Sequence, residues 1–190
     1  MRVYASLLLI ISCLFFALYA VLMDYKQNTA YALELYDTQT YGKYFSPEQL
    51  SCLYENIYFE ARNQPKAGQL AVMYVTLNRV DDPRFPNSIC EVVRQGNHRP
   101  SWRDKDRLVP IKHQCHFSWY CDGKSDQIND YKTYEKIQVL VNDSLITVSK
   151  PIDITEGATH YHADYVSPSW ANTKTKTVEI EDHIFYRWEV

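Results

Sequence analysis

Between Ser46 and Val80, apolar residues return every three or four positions, and the series breaks only around Pro65. Leu50, Leu53, Tyr54, Ile57 and Ala61 make the first series; Ala67, Leu70, Ala71, Met73, Tyr74, Leu77 and Val80 make the second. That spacing keeps side chains on one face of an α-helix, so two consecutive amphipathic helices are expected. Ser46, Pro47 and Gln49 form a helix-start signature, with a capping oxygen, a ring suited to the first turn and an amide that reaches back. The run "DDPRFP", residues 81–86, stops the second helix.

The remaining sequence adds smaller elements. Ser88 with Glu91 repeats the capping pattern and opens a short helix to Val93. Residues 95–114 are polar without a clear period and are expected to form a long loop. Residues 115–121 look like a short hairpin. A further helix runs from Tyr131 to about Thr147, with Tyr134, Ile137, Leu140, Val141 and Leu145 inward. The tail alternates around "THYHA" and "TVEIEDHIFYRW", which predicts strands. The fold class is therefore α+β and mostly helical, with a short β-hairpin or small sheet. At 190 residues the chain is long enough for one domain with a real core and a tail.

Residues 5–23 carry no charge, and a stretch of that length predicts one N-terminal transmembrane helix. Arg2 before it and Asp24 after it orient the N-terminus to the cytoplasm. A cleaved signal peptide is the alternative, although no clean small-residue cleavage site follows. The expected organisation is an anchor at 1–23, a tether at 24–45 and a domain at 46–190 held outside the cytoplasmic membrane. Beyond Cys13, four cysteines remain: Cys52, Cys90, Cys115 and Cys121. In an exported domain they are disulfide candidates, and three pairings are open. A Cys115–Cys121 bridge would leave Cys52 with Cys90, but the sequence does not decide it. Without a paired C-x-x-C, no metal is expected, and no cofactor is expected either. A net charge of −3 gives no basic excess for nucleic acid.

One polar residue on the first helix stands out. At about 100° per residue, Glu60 falls on the flank of the apolar sector, beside Leu53, while Glu55 and Arg62 point away. A carboxyl placed there loses water, which raises its pKa and keeps it protonated. A protonated carboxyl near neutral pH is suited to proton donation onto a glycosidic oxygen. Position alone also fits a structural boundary residue.

The segment "IYFEARNQPKAGQLAVMYVTLNRVDDPRFPNSICEVVRQG", residues 57–96, resembles the cell-wall hydrolase family typified by the spore-cortex-lytic enzymes. "CHFSWYCDG" at 115–123, "ATHYHADYVSPSWA" at 158–171 and "IEDHIFY" at 180–186 resemble that family's later motifs, in order. The resemblance implies a lysozyme-like domain acting on peptidoglycan glycan strands, of the lytic transglycosylase type, with Glu60 as the catalytic carboxyl. It implies sugar contacts from Ser118 and from His116, which replaces a family glutamine, and a tyrosine, Tyr161, facing the acid. His160 and His162 share the opposite strand face; His162, Trp102, Trp119 and Trp170 are further candidates for substrate contact. Asn63-Gln64 replaces a Gly-Glu pair, so the motif holds one acid; Asp122, Asp126 and Asp164 are the alternative partners for hydrolysis. The competing readings are a muramidase and a non-catalytic glycan-binding module.

Overall fold

The computed structural model describes residues 15–27, 45–146 and 152–189. It forms two units, Met1–Tyr44 and Phe45–Val190. In the first unit, the described helix α1 covers residues 15–27. It takes in Asp24 and Lys26. Among the described residues no helix is long and apolar enough to cross a membrane. The expected transmembrane anchor at 5–23 is therefore not supported. The same finding removes support for a single-pass location and for a membrane partner; residues 1–14 lie outside the described residues.

The second unit is built on helices α2 (Pro47–Ala61) and α3 (Lys66–Asp81). Ser46 Oγ accepts from the Gln49 amide at 3.3 Å and caps α2. The short α4 (Ile89–Val93) is capped by Ser88, and the Cys52–Cys90 disulfide ties it to α2. Helix α5 (Tyr131–Ile146) starts at Asp130, whose carboxylate accepts from the Thr133 amide at 3.0 Å. The apolar stripes meet in one core that fully buries Leu53, Ile57, Met73, Val92, Ile137 and Val141.

Strands β1 (Gly96–Pro100) and β2 (Leu108–Cys115) form an antiparallel ribbon. Residues 95–114 are thus not a loop. The ribbon is solvent-exposed along most of its length, so neither strand carries the apolar alternation that would announce it. Gly96 is confined by its partner strand, where a Cβ would lie 2.7 Å from the Gln114 carbonyl. The expected hairpin at 115–121 is instead a 3-10 turn, Ser118–Cys121, closed by a Cys115–Cys121 disulfide with Cα atoms 6.0 Å apart. Strands β3 (His160–Ala163), β4 (Thr175–Ile180) and β5 (His183–Arg187) make an antiparallel sheet ordered β3–β5–β4. Phe185 of β5 packs on Ala71, Val75 and Ala158, which seats the sheet against α3.

Candidate active site

The last turn of α2 meets the sheet at Glu60. Pairing of Tyr161 with Phe185 fixes the register of β3. Alternation then turns the Tyr161 ring toward the helices, stacked on Phe185 at 5.5 Å, and its hydroxyl donates to Glu60 Oε2 at 3.0 Å. The other oxygen, Oε1, is enclosed and has no hydrogen-bond partner. Burial raises the Glu60 pKa, and this outweighs the lowering effects of the Tyr161 hydrogen bond, the Arg79 charge and the nearby Trp119 and Ser118 amides. The Tyr161 hydroxyl is itself pushed well above its ordinary value, first by burial and then by Glu60, so it stays a donor.

Two hollows border the end of α2, one of them lined by Glu60 itself. One, of about 260 Å³, is lined by Glu60, Asn63, Gln64, Tyr165, Asp182 and His183. The other, of about 480 Å³, includes Trp119, Asp122 and Asp126. Phe59 and Arg62 are common to both linings, and the hollow that includes Glu60 forms a groove at the end of α2. Gln64 donates to Asp182 Oδ2 at 3.3 Å and links the helix end to the β4–β5 turn. Asp164 is exposed and meets the Asp182 carbonyl through its backbone amide, at 2.9 Å. Asp122 is paired with Lys124, while burial and then the Asp122 charge push Asp126 upward.

The 3-10 turn brings Ser118 and Trp119 beside Glu60. Ser118 is exposed; Trp119 is buried and stacked on Phe59 at 4.6 Å. Its indole N–H donates to Asn56 Oδ1 at 2.9 Å, Asn56 Nδ2 donates to Thr76 Oγ1 at 3.1 Å, and Thr76 donates to the Val72 carbonyl at 2.9 Å. This buried chain locks the turn to α2 and α3. His116 is exposed just before the turn, edge-on to Phe85 at 6.3 Å.

On the opposite face of β3, His162 donates from Nδ1 to the Ala163 carbonyl at 2.8 Å, which leaves Nε2 to accept from the Tyr186 hydroxyl at 3.0 Å. Trp170 lies against His160, His162 and Tyr186. His162 and Trp170 therefore pack with each other behind Tyr161, not in the groove beside Glu60. Burial, then the Arg79 charge, lowers the His160 pKa to about 3, so the ring is neutral. Trp102 is 82% exposed, with Arg103 over its ring. Among the described residues no cluster of His, Cys, Asp or Glu is arranged to hold a metal ion.

Sequence reasoning missed Asn56 and Arg79. Asn56 lies one turn before Glu60 on the same flank of α2, and a polar residue repeated there was the available signal. Arg79 is 6% exposed and donates from Nε to the Thr159 carbonyl at 2.7 Å. Its guanidinium sits over the Phe117 ring at 4.7 Å and the Phe85 ring at 5.5 Å, and Nη1 is buried without a partner. Burial lowers its pKa to about 10, which leaves it charged at neutral pH.

A model of the Cell Wall Hydrolase family matches residues 63–186, beginning three residues after Glu60. The chain is 43% identical over 49 residues to a spore cortex-lytic enzyme of Bacillus subtilis (strain 168), covering 26% of this chain and 16% of that protein. It is 25% identical over 142 residues to a spore cortex-lytic enzyme of Halalkalibacterium halodurans, covering 74% of this chain and 35% of that protein. It thus spans well under half the length of these relatives. The catalytic domain of the germination-specific lytic transglycosylase SleB from Bacillus anthracis superposes with a TM-score of 0.52 at 24% identity, over 76% of this chain and 98% of that one. The catalytic domain of Bacillus cereus SleB superposes with a TM-score of 0.53 at 24% identity, over 75% and 92% of the two chains. These likenesses establish a shared fold. With the family match extending over more than half of its length, the chain belongs to the Cell Wall Hydrolase family.

Proposed function

We propose that this protein is a peptidoglycan lytic transglycosylase that cuts glycan strands between N-acetylmuramic acid and N-acetylglucosamine, with Glu60 as its acid and base. The observation that carries this reading is the state of Glu60: one oxygen held by Tyr161, the other enclosed and unpaired, and a raised pKa in a groove. In the first half of the reaction Glu60 gives its proton to the glycosidic oxygen as the bond to muramic C1 breaks. In the second half the carboxylate takes the proton of the muramic 6-hydroxyl as that oxygen bonds to C1. A 1,6-anhydro sugar and a free hydroxyl leave, and no water is consumed. The Tyr161 hydroxyl holds Glu60 in one rotamer through both halves. Ser118 and Trp119 border the acid and serve as sugar contacts, with His116 at the edge; His162 and Trp170 brace β3 from behind.

A hydrolytic reading has one observation in its favour, because Asp182 lines the same hollow as Glu60. Its carboxylate is engaged by Gln64, which counts against a free role in activating water. Mass spectrometry of muropeptides released from purified sacculi separates the two. Anhydro ends are the expected product; reducing ends instead would establish hydrolysis.

A further inference from the structure

Arg79 has no use in the scheme so far, yet a charged side chain is almost never fully buried unless it is paired. Among the described residues it has no carboxylate within ion-pair distance. Its visible compensation is one carbonyl, Thr159, and the faces of Phe85 and Phe117. Removing a guanidinium from water is costly unless it is paired, and this set of neutral partners leaves Nη1 unpaired. Arg79 and Glu60 feel each other's charge, and Glu60 is the one whose charge changes during the proposed reaction. Thr159 also immediately precedes β3, so the bond to its carbonyl fixes the start of the strand whose Tyr161 grips Glu60.

Resting on the transglycosylase reading, we infer that Arg79 is an electrostatic positioning residue: a fixed buried cation that stabilises Glu60 as a carboxylate between its two proton transfers. The missing direct ion pair matters. A salt bridge to Glu60 would strip its proton at neutral pH and abolish the acid step. A cation set back from it leaves burial dominant in the resting enzyme, but lowers the cost of the carboxylate once the proton has moved to the leaving oxygen. The proton returns from the 6-hydroxyl, so the charge on Arg79 never changes. The other groups facing the pair do not supply this function. Tyr161 stays neutral, and the rings of His160 and His116 are held down by loss of water and by Arg79 itself. Arg62, Asp182 and His183 face Glu60 from the groove, where water screens them.

Two measurements test this. The first is the pH profile of muropeptide release by Arg79→Gln and Arg79→Met. The alkaline limb, where Glu60 loses its proton, moves up by roughly one pH unit, and the maximal rate falls about tenfold or more. A merely structural residue would lower rate and melting temperature together and leave the limb in place; that outcome overturns the inference. The second needs no Arg79 variant. In the wild-type protein the Arg79 side-chain nitrogen resonances follow a titration with the midpoint of the alkaline limb, and Glu60→Gln abolishes it. Resonances that do not move through that limb overturn the inference even if both variants fail to fold. Wild-type protein without turnover, or Glu60→Gln with full turnover, would instead sink the transglycosylase reading itself.

Discussion

The Tyr161 hydroxyl donates to Glu60 Oε2 at 3.0 Å across 101 residues of sequence. This contact joins the end of one helix to the middle of one strand, and it leaves Oε1 as the free oxygen. Tyr161→Phe removes the donor and little else. Since the bond lowers the Glu60 pKa, its loss raises that pKa further, and the alkaline limb of the activity profile moves to higher pH. The maximal rate falls about tenfold, the equivalent of ~1.4 kcal/mol from one hydrogen bond to a charged group. Muropeptide release followed against pH checks both effects.

Stability responds to pH in opposite directions at two residues. Glu60 has a folded pKa above its ordinary 4.5, so above that pH the native protein retains a proton that the unfolded chain has lost. Stability therefore falls as pH rises through that window. His160 has a folded pKa of about 3 against an ordinary 6.5, so the unfolded chain binds the proton first and stability is lost as pH falls from 6.5 toward 3. Melting curves across pH are expected to flatten on the alkaline side in Glu60→Gln and on the acid side in His160→Gln. At pH values where wild-type Glu60 is ionised, Glu60→Gln melts higher than wild type.

The buried chain from Trp119 through Asn56 to Thr76 carries a structural penalty if cut. Asn56→Leu leaves the indole N–H and the Thr76 hydroxyl to find new partners inside the core. Urea denaturation is expected to register a loss of about 1–3 kcal/mol. Muropeptide release falls with it, because Trp119 and the turn beside Glu60 lose their anchor.

The two disulfides separate stability from turnover. Cys52–Cys90 spans 38 residues, and its removal costs about 4 kcal/mol by loop-closure entropy. Cys115–Cys121 spans 6, and its removal costs about 2 kcal/mol. The smaller loop carries Ser118 and Trp119, so Cys115→Ser/Cys121→Ser loses turnover beyond what its stability change explains. Cys52→Ser/Cys90→Ser keeps the turnover of its folded fraction. Denaturation curves paired with initial rates test the contrast.

Much of the helical frame was legible in the sequence because capping residues and apolar stripes are local. Ser46, Ser88 and the stripes of α2, α3 and α5 needed no knowledge of the tertiary fold. The β1–β2 ribbon was not legible, since its strands are exposed and carry no period-two pattern. Charge-free composition at 5–23 pointed to a span, but among the described residues no helix is long and apolar enough to be one, and the described helix takes in Asp24 and Lys26. Glu60 was legible as an acid on a buried flank. Arg79 was hidden because its partner is a backbone carbonyl 80 residues away, which no spacing rule encodes. Trp119 reads in sequence as a sugar platform, and the bond that holds it, from its indole N–H to Asn56 63 residues away, is a long-range contact that no spacing rule encodes.

The central claim is that Glu60 is the group that moves the proton. Glu60→Gln keeps the side chain's length and can still accept from Tyr161, but it has no acidic proton to give. Muropeptide release from purified sacculi by this variant, compared with wild type at equal folded concentration, is the direct test. The account predicts a fall of about a hundredfold or more. Release at the wild-type rate would contradict it.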